Sequence, residues 1–270
     1  MTLSARQGRR ARDLAGICLL VLTPLSLAAA MTPAELFARV SPSVWRVQTL
    51  DGDGLPLVQG SAVVVAPGQL VTNCHVLARA QRVQVRRDGQ AKVMSAKPVL
   101  WDVQRDLCQL EVQGAAGPPI PLGSSSAAAV GQPAYAIGHP KGLDLTLSAG
   151  LVSSLRRNSA GQLVLIQTSA AISGGSSGGG LFNEAGELLG LTTIASIGGD
   201  TQNLNFAIPA DWIRDLPRRH TAALASAGSP AAAASTPSVN LSPNQSPNQS
   251  PNQSPSASAS ASASAPATGR

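Results

Sequence analysis

Gly174-Gly175-Ser176-Ser177-Gly178-Gly179-Gly180-Leu181-Phe182 is the stretch on which the reading of this chain turns. A serine hemmed by glycines stands where backbone N–H groups converge on one point without side-chain obstruction. That convergence is what an oxyanion hole needs. Composition alone reads the same residues as a flexible Gly/Ser loop. What separates the two readings is whether the chain also supplies a base for Ser177 and a carboxylate for that base, and in which order.

The segment also fits G-x-S-x-G, the nucleophile elbow of α/β-hydrolases, where the histidine follows the serine. Only His220 follows here, so that reading is weak. Two histidines precede Ser177. His75 lies in Leu70-Val71-Thr72-Asn73-Cys74-His75-Val76-Leu77, where a strand ends and a short helical turn begins, and a rigid element holds its imidazole. A lone histidine at a strand end is more often structural than catalytic. His139, in Ile137-Gly138-His139-Pro140, reads as a loop residue in a turn between strands. For the carboxylate, Arg105-Asp106-Leu107-Cys108-Gln109-Leu110-Glu111-Val112 alternates with period two, and Asp106 shares the parity of Cys108, Leu110 and Val112. A core-facing aspartate is costly unless hydrogen-bonded, which marks it for a role. Asp102 shares that parity further from the strand body. Asp51, Asp53 and Asp88 read as turn residues beside glycines.

Outward from these segments, short β-prone runs bounded by Gly, Pro or Asp fall at residues 44–49, 61–66, 69–72, 82–86, 107–112, 134–137, 145–153, 163–168 and 188–194. No regular β-then-helix alternation appears, which argues against Rossmann and hydrolase α/β folds. Many short strands in one domain predict an all-β barrel or sandwich. Residues 32–40 read as a short helix with Pro33 in its first turn, and residues 209–216 as a closing helix that stops at Pro217.

The ends are different material. Residues 1–30 carry Arg6, Arg9, Arg10 and Arg12 against Asp13, then an apolar run over 14–27 and Ala28-Ala29-Ala30, the pattern of a signal peptide. The run is short for a membrane span and broken by Pro24, so no stable membrane insertion is expected after its removal; a retained anchor is the alternative. Residues 221–270 hold no charged side chain except Arg270, with Ser-Pro-Asn-Gln and Ser-Ala repeats. They are expected to be a disordered tail, or a stalk that binds a partner. A domain over 31–220 remains. The pI is near 10.0, half of the net charge of +6 sits in the first thirty residues, and aromatic residues make up only 3%. Scattered arginine pairs without aromatics to stack on bases read as a solvated surface, not a nucleic-acid site.

The order His75, Asp106, Ser177 resembles the chymotrypsin type, and three segments resemble the bacterial HtrA-like branch of trypsin-like serine peptidases. Thr72-Asn73-Cys74-His75-Val76 is similar to T-N-x-H-V, Arg105-Asp106-Leu107 to the D-L segment, and residues 167–179 to Q-T-D-A-A-I-x-x-G-N-S-G-G. Ala136-Ile137-Gly138-His139-Pro140, Gly150-Leu151-Val152-Ser153 and Asn205-Phe206-Ala207-Ile208-Pro209 add supporting matches, so the resemblance spans residues 33–213. The chain departs from the pattern at Ser176 (usually Asn), Gly180 (Pro or Ala) and Ser169 (Asp). Its tail stands where HtrA proteins carry a PDZ domain.

The resemblance implies two six-stranded antiparallel β-barrels with the site in the crevice between them. It implies a serine endopeptidase acting on polypeptide substrates, with His75, Asp106 and Ser177 as a triad. Gly175 and Ser177 would supply oxyanion N–H groups. Ile172 and the segment Thr192, Thr193, Ile194, Ala195 would bind substrate, the latter by main-chain pairing. No cofactor and no metal is implied. Cys74 and Cys108 are the cysteines left once the signal segment is removed. Export to the periplasm or beyond favours their pairing, and in this fold the two positions approach each other; two separate thiols are the alternative. A non-catalytic binding protein on the same scaffold is the competing function, disfavoured because all three triad residues are present.

Overall fold

The computed structural model describes residues 31–193 and 204–227. The sequence readings for residues 1–30, for Ile194 and Ala195, and for the tail beyond residue 227 fall outside the described residues.

Among the described residues, twelve strands close into two barrels, with strand ladders only within each barrel. The first is built from β1 (Val44–Leu50), β2 (Pro56–Ala66), β3 (Gln69–Thr72), β4 (Arg82–Arg87), β5 (Val93–Asp102) and β6 (Leu107–Glu111), in the order β1-β2-β3-β6-β5-β4. The second contains β7 (Pro133–Gly138), β8 (Thr146–Arg157), β9 (Leu163–Thr168), β10 (Gly180–Phe182), β11 (Leu188–Thr193) and β12 (Asn205–Pro209), in the order β10-β11-β12-β9-β8-β7. All pairings within the barrels are antiparallel. The expected fold class is the observed one.

Strand periodicity sorts the side chains into three apolar layers. On β2, Ala62 and Val64 point into the first barrel with Trp45, Val47, Leu70, Val85 and Leu110, while Val63 between them points out. That outward face is not solvated. Val63, Val71 and Leu107 meet Ile137, Phe182, Leu188, Leu191 and Ile208 in a layer between the barrels. Alanines packed with larger aliphatics fill the second barrel: Ala134, Ala136 and Ala207 beside Val152, Ile166 and Leu181. Burial on both faces accounts for the consecutive apolar residues Ala62-Val63-Val64 of β2 and Leu188-Leu189 of β11.

Helix α1 (Pro33–Val40) starts on a capping box. The Glu35 N–H donates to Thr32 Oγ1 at 3.3 Å, and the Thr32 N–H donates to Glu35 Oε2 at 2.8 Å. Its Leu36 and Val40 seal one end of the inter-barrel layer.

The closing helix departs from expectation. Helix α3 runs over Asp211–Ala227, straight through Pro217, so the boundary drawn at residue 220 cuts an intact helix. Proline removes one backbone donor, but tertiary contacts on both sides of it hold the helix together. Leu216 is fully buried, and the His220 ring packs edge-on against Trp101 with centroids 4.2 Å apart. Arg219 pairs with the buried Asp102 carboxylate, and Arg105 bonds Asp215 at 2.9 Å while lying over the Trp212 ring. Asp102 is therefore a structural anchor for α3. Among the described residues no helix is long and apolar enough to cross a membrane.

Candidate active site

His75 stands on the single helical turn α2 (Cys74–Leu77) that follows β3. Asp106 does not sit on β6, as its parity implied. It ends a 3₁₀ turn over Val103–Arg105 in the left-handed conformation, φ 55° and ψ 39°, which aspartate tolerates better than most residues. The turn, not the strand pleat, aims its carboxylate. One oxygen, Oδ2, lies 2.7 Å from His75 Nδ1; the other, Oδ1, accepts the His75 backbone N–H at 2.9 Å. The Asp106 carbonyl takes Asn73 Nδ2 at 3.0 Å and the Cys74 N–H at 3.3 Å. Thr193 Oγ1 adds a third partner for the carboxylate, 3.3 Å from Oδ2. These contacts fix ring and carboxylate in register, with Nδ1 engaged and Nε2 left to face the crevice.

Ser177 lies in the loop between β9 and β10, on the other barrel. Its Oγ is buried and makes no hydrogen bond among the described residues, to His75 or to any other group. The loop is pinned around it. Ser176 N–H donates to Ser173 O, Gly178 N–H to Thr192 O and Gly179 N–H to Ser176 O, each at 2.9 Å. The N–H groups of Gly175 and Ser177 donate to nothing among the described residues. Gly175 has φ +91°, and a Cβ there would strike the His139 carbonyl, so the turn requires glycine. Across the seam, Ser61 N–H on β2 donates to Ser177 O at 2.8 Å.

His139 and Asp88 lie in turns, as read from sequence, but they also contact each other across the seam. His139 has no exposed surface, and its Nε2 lies 3.1 Å from Asp88 Oδ1. Asp88 also accepts the Leu145 N–H at 2.6 Å and faces Arg46 at 3.8 Å. Burial holds the His139 imidazole below its ordinary pKa, against the pull of Asp88. Burial pushes Asp88 the other way, but the Leu145 N–H, His139 and Arg46 outweigh it and leave its pKa lowered. Local sequence did not signal their contact, because Asp88 lies 51 positions from His139 and 57 from Leu145.

At Ser176, the residue before Ser177, a cavity of about 170 Å³ opens, lined also by Ala136, Gly138, Thr146, Ser148, Ile172 and Thr192, with no charged side chain. Ile172 thus sits at the pocket, its N–H bonded to Asn205 Oδ1 at 3.1 Å. Thr192 serves differently from the expected strand pairing. Its N–H and C=O are taken by Gly179 and Gly178, and its Oγ1 donates to Ser176 O at 2.6 Å, so its backbone has no free edge for a substrate.

The sulfurs of Cys74 and Cys108 are 2.10 Å apart, with Cα atoms at 5.0 Å. The three departures from the family pattern have local accounts. Ser176 holds its place through backbone bonds, which an asparagine side chain is not needed to make. A Cβ at Gly180 would enter the Phe182 ring. Ser169 Oγ accepts the Leu151 N–H at 2.9 Å and ties β8 to the turn after β9.

Residues 60–191 match the family described as trypsin-like peptidase domain. Among curated relatives, Protease Do-like 1, chloroplastic, of Arabidopsis thaliana is 36% identical over 202 residues, covering 68% of this chain and 46% of the relative. Serine endoprotease DegS of Haemophilus influenzae is 37% identical over 170 residues, covering 59% and 49%. The chain therefore spans about half the length of the curated relatives it matches. The solved structure of the HtrA-type protease AlgW with tripeptide aligns with a TM-score of 0.62 at 33% identity, over 70% of this chain and 63% of that one. The double barrel belongs to the trypsin-like serine peptidases of the HtrA type.

Proposed function

We propose that the chain is an exported serine endopeptidase that hydrolyses extended polypeptide segments, with Ser177 as nucleophile, His75 as general base and Asp106 as the orienting carboxylate. The observation that carries this reading is the 2.7 Å contact between His75 Nδ1 and Asp106 Oδ2, on a carboxylate fixed by the His75 amide and Thr193. A carboxylate at Nδ1 selects the tautomer whose Nε2 accepts a proton. Ser177 Oγ forms a bond to the scissile carbonyl carbon as its proton passes to His75 Nε2. The oxygen that becomes negative takes the unengaged N–H groups of Gly175 and Ser177. His75 returns the proton to the leaving amine as the C–N bond breaks, and water repeats the sequence on the acyl-enzyme. Burial of Ser177 Oγ without a partner fits a site whose serine–histidine hydrogen bond forms with substrate in place.

The uncharged pocket at Ser176 accepts a small or medium aliphatic side chain on the acyl side of the bond. A buried lysine or arginine would find no counter-charge there. The backbone of Thr193 and of the residues after it takes the substrate strand. Residues 1–30 direct export to the periplasm or beyond, where Cys74 and Cys108 stay oxidised. The test is casein cleavage and fluorophosphonate labelling by the purified chain. A single adduct on Ser177, and no cleavage by Ser177→Ala, is the expected result. Undiminished cleavage by Ser177→Ala would overturn the mechanism.

A further inference from the structure

Four segments meet at the seam between the barrels, behind the Ser177 loop. Asp88 follows β4, Ser61 lies on β2, His139 follows β7, and Gly175 opens the turn that leads to Ser177. Ser61 and His139 have no exposed surface. Ser61 Oγ lies 2.9 Å from Gly175 O, accepts the His139 backbone N–H at 2.9 Å, and stands 3.3 Å from His139 Nδ1. His139 Nε2 lies 3.1 Å from Asp88 Oδ1.

A count of protons gives this chain a direction. The Asp88 carboxylate only accepts, so the His139 proton that faces it sits on Nε2. The Gly175 carbonyl also only accepts, so the one hydroxyl proton of Ser61 lies on the line to Gly175 O. His139 Nδ1, further off, is the weaker competitor for that proton. Asp88 thus fixes the ring, the His139 backbone N–H fixes Ser61 Oγ, and Ser61 holds the Gly175 carbonyl. Two residues past His139, the Lys141 N–H holds Gly174 O at 2.5 Å. Both peptide groups flanking Gly175 are therefore anchored on the His139 turn or on the serine it holds. A peptide unit is planar and trans, so fixing the Gly174 carbonyl fixes the opposite direction for the Gly175 N–H.

We infer that Asp88, His139 and Ser61 form a positioning chain, buried at Ser61 and His139, that holds the Gly175 turn and, together with the Lys141 N–H on Gly174 O, aims the Gly175 N–H at the developing oxyanion. The inference rests on the peptidase reading above. Ser61 and His139 touch no substrate; they act through Gly175. The chain also crosses the seam, since Asp88 and Ser61 belong to the first barrel and His139 and Gly175 to the second.

The test uses the full-length chain and two readouts. Ser61→Ala removes the donor from Gly175 O. On a peptide anilide, kcat should fall about ten- to hundred-fold, less than the loss of a whole oxyanion donor, with KM within about twofold of wild type. Ser61→Thr, which restores a hydroxyl, should recover most of that loss. His139→Asn should lower kcat in the same way, and the double variant should cost no more than the larger single one, because both act through one carbonyl. Independently of turnover, Ser61→Ala should move the 13C resonance of the Gly175 carbonyl and the 15N resonance of Ser176. Unmoved resonances, undiminished kcat or a rise in KM alone would overturn the inference. A wild-type chain with neither turnover nor an adduct on Ser177 would instead overturn the peptidase reading and the positioning role with it, while the carbonyl resonance would still report whether the chain of bonds exists. The two failures are thereby told apart.

Discussion

Cys74 and Cys108 join the residue just before His75 to the residue two beyond Asp106. The bond and the Cys74 N–H to Asp106 O contact brace the same pair of segments. Closing a loop across 34 positions stabilises by about 3–4 kcal/mol on the chain-entropy estimate. Reduction, or Cys74→Ala with Cys108→Ala, should lower the thermal midpoint and should also lower kcat, because the segments carrying His75 and Asp106 lose their covalent link and keep only hydrogen bonds. The check is alkylation of denatured protein followed by intact mass, with the anilide assay run on the same samples. Equal activity before and after reduction would limit the bridge to a stabilising role.

Loss of a triad member should cost on the order of 10⁴-fold in kcat, as in related mechanisms. Ser177→Ala and His75→Ala should be comparably damaging because the two act as a unit. Asp106→Asn should also be severe, since an amide aims an N–H at His75 Nδ1 or presents only one acceptor. Thr193→Val should cost far less, roughly three- to tenfold, as it removes one of several bonds to that carboxylate. Single-turnover kinetics on the four variants orders these effects.

A cleavage profile on a peptide library should be dominated by Ala, Val, Leu or Thr on the acyl side. Gly138 and Ala136 lie in the pocket wall, and Ser148→Asp would place a carboxylate in its lining. That variant should gain a measurable preference for Lys or Arg. A wild-type profile already dominated by basic residues would refute the pocket assignment.

A chain ending at residue 227 should keep the wild-type thermal midpoint, because the residues removed carry no periodic apolar face. Ending at residue 217 takes away Arg219 and His220. The buried Asp102 carboxylate then loses its cation and Trp101 loses its edge-on partner. The expected cost is on the order of 2 kcal/mol, read from urea unfolding of the two truncations.

Stability should depend on pH through His139. Its pKa in the fold is below the ordinary 6.5, so the unfolded chain binds the proton first. The stabilisation is full above about 6.5 and is lost as pH falls from there through the folded pKa. Arg46 and Arg86 add to the shift, and Asp88 opposes it. Asp88, lowered from 3.8, adds a second loss as pH falls below that value. Denaturant unfolding at pH 7.5 and pH 5.0 should show the wild type losing stability, with a smaller difference for His139→Asn.

Most of the fold was legible in the sequence wherever short β-branched runs were bounded by turn residues. Nine strands stood out this way. β5 did not, because Lys97 and Pro98 interrupt it and its register shifts between Pro98 and Leu100. β10 is three residues inside a glycine run, and β12 was noticed as a motif rather than as a strand. The candidate triad was legible because each member sits in its own ordered motif. The geometry around it was not. Asp106 owes its direction to a left-handed turn that no alternation rule describes, and His139 and Asp88 owe theirs to contacts between distant segments. Pro217 was read as a stop because a local rule was applied where burial of Leu216 and His220 on either side overrides it.

The strand ladders of each barrel close on themselves, yet the proposed site takes parts from both: His75 and Asp106 from one, Ser177 from the other. Between them lie an apolar layer, the Ser61–Ser177 and Ser61–Gly175 bonds, and a linker whose Ile120 N–H reaches Val64 O on the first barrel while Leu122 bridges to Leu188 on the second. The proposed hydrolysis would in this sense be a coincidence detector. On the proposed mechanism, a break in the linker, a wedge at the seam or a small shift of one barrel should silence turnover, so turnover would report on how the two halves sit together as much as on the chemistry of any one residue.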